Sequence, residues 1–231
     1  MIENVTTNNC TINYSSSLKE LAFKTIELLD KKIIEYKELF KVNLDEKIIV
    51  NYFDNKEEFR NFIINLRGED TLPEYATATY DNGMINAYIK KEKQLERIYT
   101  ASHELFHIMY MKYILKNDYS KRIVWYDEGL AQYYSGEKDR LSDKNKFKDY
   151  YEQTKLNTKQ IPNLNSLIHG NSFVNENYNG YKLSYLSIRY LSEILTKEEF
   201  INLMNDYNKI KKVGTDIIQK MFEYYDKKLY E

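Results

Sequence analysis

The chain has few of the residues that build disulfide or thiolate sites. Among its 231 residues there is one cysteine, Cys10, which excludes an internal disulfide framework and a zinc site made of thiolates. Histidine is also scarce, with three residues in the whole chain. A run of 18 apolar residues is missing, so the sequence predicts no helix that spans a membrane.

An excess of charge of either sign is also missing. The chain has 34 lysine and arginine residues against 35 aspartate and glutamate residues, and the two signs are interspersed. Nucleic-acid binding usually depends on a basic excess or a basic patch. We therefore expect no nucleic acid among the partners.

The first residues, Met1 to Val5, have neither the basic stretch nor the apolar stretch of a secretion signal. Two expectations for the compartment stay open. The protein is cytoplasmic if the chain is full length, and it is extracellular or at the cell surface if a leader has been removed.

Apolar periodicity and turn signals predict the main elements. They are a helix over Leu18–Phe40, a strand over Lys47–Phe53, a helix capped by Asp54 or Asn55 that runs to about Leu66, a helix from Glu92 to about Lys116, a helix within 178–191 and two closing helices within 196–231.

One motif carries the chemistry. Residues His103 to His107 read His-Glu-x-x-His within a helical pattern. At 3.6 residues per turn the two histidines lie one above the other, so both imidazoles can bind one metal ion. Glu104 lies beside the first histidine, where its carboxylate can take a proton from a metal-bound water and return it to a leaving amine. The alternative is a chance match with two structural histidines.

A third ligand is available downstream. An acidic pair, Asp127 and Glu128, begins a second helical pattern, and twenty residues separate His107 from Glu128. A helix, a turn and a returning antiparallel helix need about that length to bring a carboxylate back over the histidines. Two histidines and one glutamate leave a fourth position for water, which is typical of catalytic zinc, here one Zn²⁺ per chain. Asp127 is the rival ligand.

The motif at 103–107 together with Trp-x-x-Glu-Gly-x-Ala at 125–131 resembles the gluzincin metallopeptidases, and among them the bacterial peptidase MA-like group. The resemblance implies that the two histidines and Glu128 bind zinc and that Glu104 is the general base. It favours Glu128 over Asp127, because the family pattern aligns on Glu-Gly.

The resemblance also implies the fold. We expect a single catalytic domain of the α+β, zincin-like, two-lobed type, with a small mixed sheet and helices in a lobe of about residues 1–115 and a helical lobe of about residues 116–231. Gly129 should allow close packing against the metal-binding helix. Gln132, one turn after Glu128, is a candidate hydrogen-bond partner for a zinc-binding histidine.

A hairpin signal precedes the metal motif. Asp-Asn-Gly at 81–83 joins two short extended runs, and both Asn and Gly tolerate positive φ. In proteins that resemble this family, an edge strand beside the zinc pairs with the substrate backbone. The resemblance therefore assigns Met84–Tyr88 or the earlier run to substrate binding, and we take the earlier run: Thr77, Ala78, Thr79 and Tyr80. A merely exposed hairpin is the alternative.

A tyrosine is the candidate electrophile. Hydroxide attack on an amide carbonyl builds negative charge on oxygen, and a phenol donor would stabilise it. Tyr181 matches the tyrosine that opens a helix in proteins similar to this family. Tyr178, Tyr185 and His169 are alternatives, and a packing role for Tyr181 is another.

These features predict a zinc-dependent metallopeptidase that hydrolyses peptide bonds of peptide or protein substrates through a zinc-activated water, with glutamate as the base. The main alternative is a zinc-binding scaffold or sensor that holds a peptide with little turnover. A third possibility is a regulator that cleaves one partner protein.

Overall fold

The computed structural model describes residues 2–44, 46–74, 76–168 and 172–230. The chain divides into two compact units, Met1–Met109 and Tyr110–Glu231. Over the described residues the fold is α+β with a small mixed sheet, as the sequence predicts. Within those residues, no helix combines the length and the hydropathy that a membrane crossing requires.

The first unit contains all five strands that the structure describes. Its elements are β1 (Ile2–Thr6), β2 (Cys10–Ser15), α1 (Lys19–Phe40), β3 (Ile48–Phe53), α2 (Lys56–Arg67), β4 (Ala78–Asp81), β5 (Met84–Tyr88) and α3 (Thr100–Met109). The strand order is β1-β2-β3-β5-β4. The β2–β3 and β3–β5 pairs are parallel, whereas the β1–β2 and β4–β5 pairs are antiparallel. The hairpin strand β4 therefore lies at one edge of the sheet.

Local signals predicted much of this unit correctly. The helix predicted over Leu18–Phe40 is α1, and Asn55 caps α2 by accepting hydrogen bonds from the main-chain nitrogens of Glu57 and Glu58. The Asp-Asn-Gly turn is confirmed, since Asn82 and Gly83 have φ of 48° and 79°. The sequence analysis missed β1, whose short polar stretch pairs with β2 through main-chain hydrogen bonds.

The sheet is covered on both faces. Alternate residues of the central strands, such as Ile12, Val50 and Ile85, are fully buried on the face that α1 covers. On the opposite face, α2 buries Phe59 and Ile63 in a cluster with side chains of β3 and β5. Residues that alternate along a strand point to opposite faces, so β3 and β5 contribute to both layers.

The second unit is helical over its described residues. Its elements are α4 (Val124–Gln132), α5 (Lys138–Arg140), α6 (Lys144–Leu156), α7 (Gly180–Ile194), α8 (Lys197–Leu203), α9 (Tyr207–Val213) and α10 (Ile217–Tyr230). The two closing helices predicted for 196–231 are in fact three. Capping side chains at Thr196 and Asp206 start separate short helices there, because each cap satisfies main-chain donors at a new helix start.

Helix α7 packs along α4 and also contacts α6, α8 and α10. A Cβ atom at Gly129 would lie 2.6 Å from the Ser184 carbonyl oxygen and 2.6 Å from Cγ1 of Ile188. The prediction of close packing at Gly129 therefore named the wrong neighbour: these contacts are with α7. A glycine within a helix indicates that another helix packs closely there, but the sequence does not show which helix it is.

Replacing Gly129 by alanine should destabilise the protein. Overpacking against a main-chain carbonyl costs about 1–3 kcal/mol or more, whereas alanine gains only about 1 kcal/mol over glycine inside a helix. We expect a lower urea midpoint with an unchanged slope. A midpoint equal to or above that of the wild type would contradict the close contact.

Candidate metal centre

The metal motif lies on α3, and packing of the buried side of this helix fixes its position in the first unit. Ser102, Leu105 and Phe106 are buried on that side. The Tyr36 hydroxyl of α1 donates to the Ser102 carbonyl at 3.1 Å, and the rings of Tyr36 and Phe106 meet edge-on with centroids 5.5 Å apart. This packing leaves the motif face of the helix half-buried.

The helix is shorter than predicted. We expected it to begin at Glu92, but α3 begins at Thr100, and Lys91–Arg97 forms a 3-10 helix. That charged stretch has little apolar surface, so packing does not favour a regular α-helix there. A π-helical turn at Tyr110–Ile114 follows α3, and such turns are frequent near functional sites.

The two histidines face each other. Nε2 of His103 and Nε2 of His107 are 3.0 Å apart. Two nitrogens bound to one tetrahedral zinc at about 2.0–2.1 Å are separated by about 3.3–3.4 Å, so a small adjustment fits both to one ion. Both side chains are half-buried, and Glu104, also half-buried, follows His103 directly.

The helix that carries the acidic pair begins at Val124, earlier than the start at the pair that the sequence predicts, and Asp127 lies in its first turn. Glu128 is 5% exposed and Asp127 is fully buried. Arg122 binds both carboxylates: its Nε lies 2.6 Å from Oδ2 of Asp127, and its Nη2 lies 3.4 Å from Oε1 of Glu128. The polar connection before α4 thus supplies a cation to two adjacent buried acids.

Three of the side chains form a group that could hold a metal ion. His103, His107 and Glu128 each offer one ligand atom, and these atoms lie within 4.8 Å of one another. Two imidazoles and one carboxylate are the donor set of many catalytic zinc sites. The residues therefore fit the metal that the sequence predicts.

The comparisons with known proteins agree with a peptidase. The sequence model of peptidase family M9, described as collagenase, matches residues 5–229. This chain belongs to the collagenase family of peptidases. A search of curated proteins finds no match.

Membership in the collagenase family supports a metallopeptidase that acts on peptide or protein substrates, with a metal that is usually zinc. The match is coarser than the sequence resemblance, so the gluzincin, peptidase MA-like assignment stays a prediction. The roles of individual residues stay predictions as well.

The candidate tyrosines of this collagenase-family chain differ in their surroundings. Tyr181, in the first turn of α7, is 38% exposed. Tyr185 is fully buried, and burial raises its pKa to about 12. The Tyr178 hydroxyl donates to the Ser172 carbonyl at 3.1 Å. Tyr181 is therefore the most accessible of the three, and His169, the other alternative, lies outside the described residues.

Gln132 connects α4 to the start of α7. Its Nε2 donates to the Glu128 carbonyl at 3.2 Å and to the Tyr181 carbonyl at 3.0 Å. These contacts differ from the histidine contact that we predicted, which stays a prediction. They fix the first turn of α7 against the helix that carries Glu128.

The predicted substrate residues lie on the edge strand and just before it. Ala78, Thr79 and Tyr80 belong to β4, while Thr77 precedes it and accepts a hydrogen bond from the Tyr88 nitrogen at 2.8 Å. Tyr80 is 47% exposed. Helix α3 packs against both hairpin strands, so the edge strand lies in the same unit as the histidine pair.

Sequence analysis missed Arg122. The residue stands in a polar connection that also contains two lysines, Lys116 and Lys121, and another acid, Asp118, and nothing in its spacing marked it. The sequence did contain one usable signal, the two adjacent acids in an otherwise apolar helix. Buried carboxylates need a cationic partner, so these acids indicate that a cation lies nearby.

Proposed function

We propose that this protein is a zinc-dependent peptidase of the gluzincin type that uses Glu104 as general base. The observation that carries the proposal is the ligand group of His103, His107 and Glu128, with an acid directly after the first histidine. Membership in the collagenase family gives independent support.

Each residue of the candidate metal centre has a separate chemical role in this proposal. When bound, zinc would supply Lewis-acid chemistry by polarising a water and the scissile carbonyl. His103 and His107 would hold it through Nε2, and Glu128 would complete a three-residue ligand set that leaves one position for substrate or water. Glu104 would accept the proton of the attacking water and pass it to the departing amine.

Tyr181 would assist at the carbonyl oxygen. Negative charge builds there during attack, and a phenol donor lowers its energy. Its exposure supports this assignment over Tyr185 and Tyr178. The Gln132 hydrogen bonds support it further, because they hold the first turn of α7 against α4.

The edge strand β4 would bind the substrate backbone. An edge strand presents main-chain donors and acceptors to which an extended peptide can add as a further strand. The Thr79 side chain already accepts from Arg67 at 2.8 Å and donates to Asp81 at 2.7 Å. We therefore assign the binding to main-chain atoms of 77–80, with Tyr80 as an exposed side-chain contact.

We propose a single zincin-like catalytic domain over residues 1–231, with lobes of about 1–115 and 116–231. Its substrates are peptides or proteins. Since the family is described as collagenase, collagen-derived peptides are the first substrates to try, followed by an unbiased peptide library.

Removing the metal should abolish cleavage reversibly. We expect the purified protein to contain about one zinc per chain, to lose peptide cleavage after dialysis against a chelator, and to recover it when one equivalent of zinc is added. Elemental analysis and the peptide-library digest measure the two quantities on the same samples.

Circular dichroism of the chelated protein is the control for unfolding. Cleavage that persists without metal would contradict the proposal. A protein that binds one zinc but cleaves nothing in the library or among collagen peptides would instead favour the scaffold alternative.

A further inference from the structure

The guanidinium of Arg122 contacts two carboxylates that are neighbours in sequence. It lies 2.6 Å from Oδ2 of Asp127 and 3.4 Å from Oε1 of Glu128. Its own side chain is 24% exposed, whereas those of the two acids are 0% and 7% exposed. The short contact is with the acid that is absent from the ligand group, and the longer one is with the acid that belongs to it.

Charge explains why a cation is needed here. Two adjacent buried carboxylates repel each other, and each loses hydration in the interior. One guanidinium carries a single positive charge and contacts both carboxylates, and a metal cation bound at Glu128 would add a second favourable charge. An arginine suits this place because its planar fork of donors reaches two acceptors at once, which an ammonium group does less well.

We propose that Arg122 is a positioning residue for the zinc ligand Glu128, and that Asp127 anchors Arg122. The inference rests on the proposed function, since it takes Glu128 as a ligand. The 2.6 Å contact with Asp127 fixes the guanidinium, and the guanidinium in turn restricts rotation of the Glu128 carboxylate from its Oε1 side. A carboxylate held in advance loses less freedom when it binds a metal.

A purely structural role for Arg122 makes a different prediction. If Arg122 only neutralised Asp127, replacing Arg122 would lower the stability of the protein. Any change in zinc affinity would then be the same whether residue 128 is a glutamate or a glutamine. A positioning role requires the two residues to be coupled. A double-mutant cycle measures that coupling directly.

The experiment compares zinc dissociation constants, measured by competition with a chromogenic chelator, for the wild type, Arg122→Lys, Glu128→Gln and the double variant. We expect Arg122→Lys to weaken zinc binding by about 10–100-fold in the wild-type background, as for other groups that orient a ligand. In the Glu128→Gln background we expect less than about a threefold further change, because the positioned carboxylate is gone.

Arg140→Lys is the matched control, because Arg140 also pairs with a carboxylate, that of Glu137, in the same unit. It should leave zinc affinity unchanged. Thermal unfolding of each metal-free variant checks the fold, and the charge-conserving lysine is used so that Asp127 keeps a cationic neighbour.

Equal weakening in both backgrounds, or none in either, would overturn the proposal. A protein that shows the coupling but cleaves no peptide would refute the peptidase function and leave the role of Arg122 intact. A wild type that binds no zinc would overturn both.

Discussion

We expect that replacing Glu104 by glutamine will lower kcat/KM for peptide cleavage by about 10²–10⁴-fold, the range for loss of a general acid–base group. The amide has the same shape as the carboxylate but cannot accept the proton of the attacking water. Because Glu104 is not in the ligand group, we expect the zinc content to stay near one per chain. The measurement is kcat/KM on one peptide that the wild type cleaves, with elemental analysis of both proteins.

Glu92→Gln is a matched control, because it makes the same chemical change at an exposed acid upstream of α3. We expect its kcat/KM to equal that of the wild type. Undiminished cleavage by Glu104→Gln would show that another group is the base, and loss of zinc from this variant would show that the substitution disturbs the metal site instead.

The second large effect separates the two candidate third ligands. Glu128→Gln should weaken zinc binding by more than about 100-fold, beyond the range for groups that only orient a ligand. Asp127→Asn should weaken it by less than about tenfold, because Asp127 acts through Arg122. Competition with a chelator measures both variants.

The two variants should rank the other way for stability, with Asp127→Asn the more destabilising. Asp127 is fully buried and bonded to Arg122, so its neutral isostere loses a charge-assisted hydrogen bond and lowers the free energy of unfolding of the metal-free protein by about 1–3 kcal/mol. Glu128→Gln relieves repulsion between adjacent acids and should cost the metal-free protein less. If Asp127→Asn abolished zinc binding and Glu128→Gln did not, the ligand assignment would be reversed.

The sequence was sufficient where the physics is local. The spacing of His103 and His107 on one helical turn, the Asp-Asn-Gly turn and the Asn55 cap each depend on residues within a few positions of one another. These local features are confirmed, and the helical spacing places two of the three candidate ligand residues, His103 and His107, side by side.

Prediction failed where distant contacts decide the outcome. The neighbour of Gly129 is α7, some fifty residues later, and strand β1 exists because β2 pairs with it. Arg122 escaped notice because its role depends on two carboxylates being buried together, which spacing does not reveal. The predicted start of the helix that carries the histidine pair, Glu92, was also wrong, since α3 begins at Thr100.

The family match and the motif support conclusions of different detail. The family match covers nearly the whole chain and supports a metallopeptidase of the collagenase family. The motifs go further, because they predict His103, His107 and Glu128 as metal ligands. The role of each side chain is therefore tested best by observing the metal itself.

Crystallography of the zinc-loaded protein, with anomalous data collected on both sides of the zinc absorption edge, is that measurement. We predict one anomalous peak within about 2.0–2.2 Å of Nε2 of His103, Nε2 of His107 and a carboxylate oxygen of Glu128. A zinc peak elsewhere, or one bound by the histidines with the carboxylate of Glu128 turned away, would contradict the account.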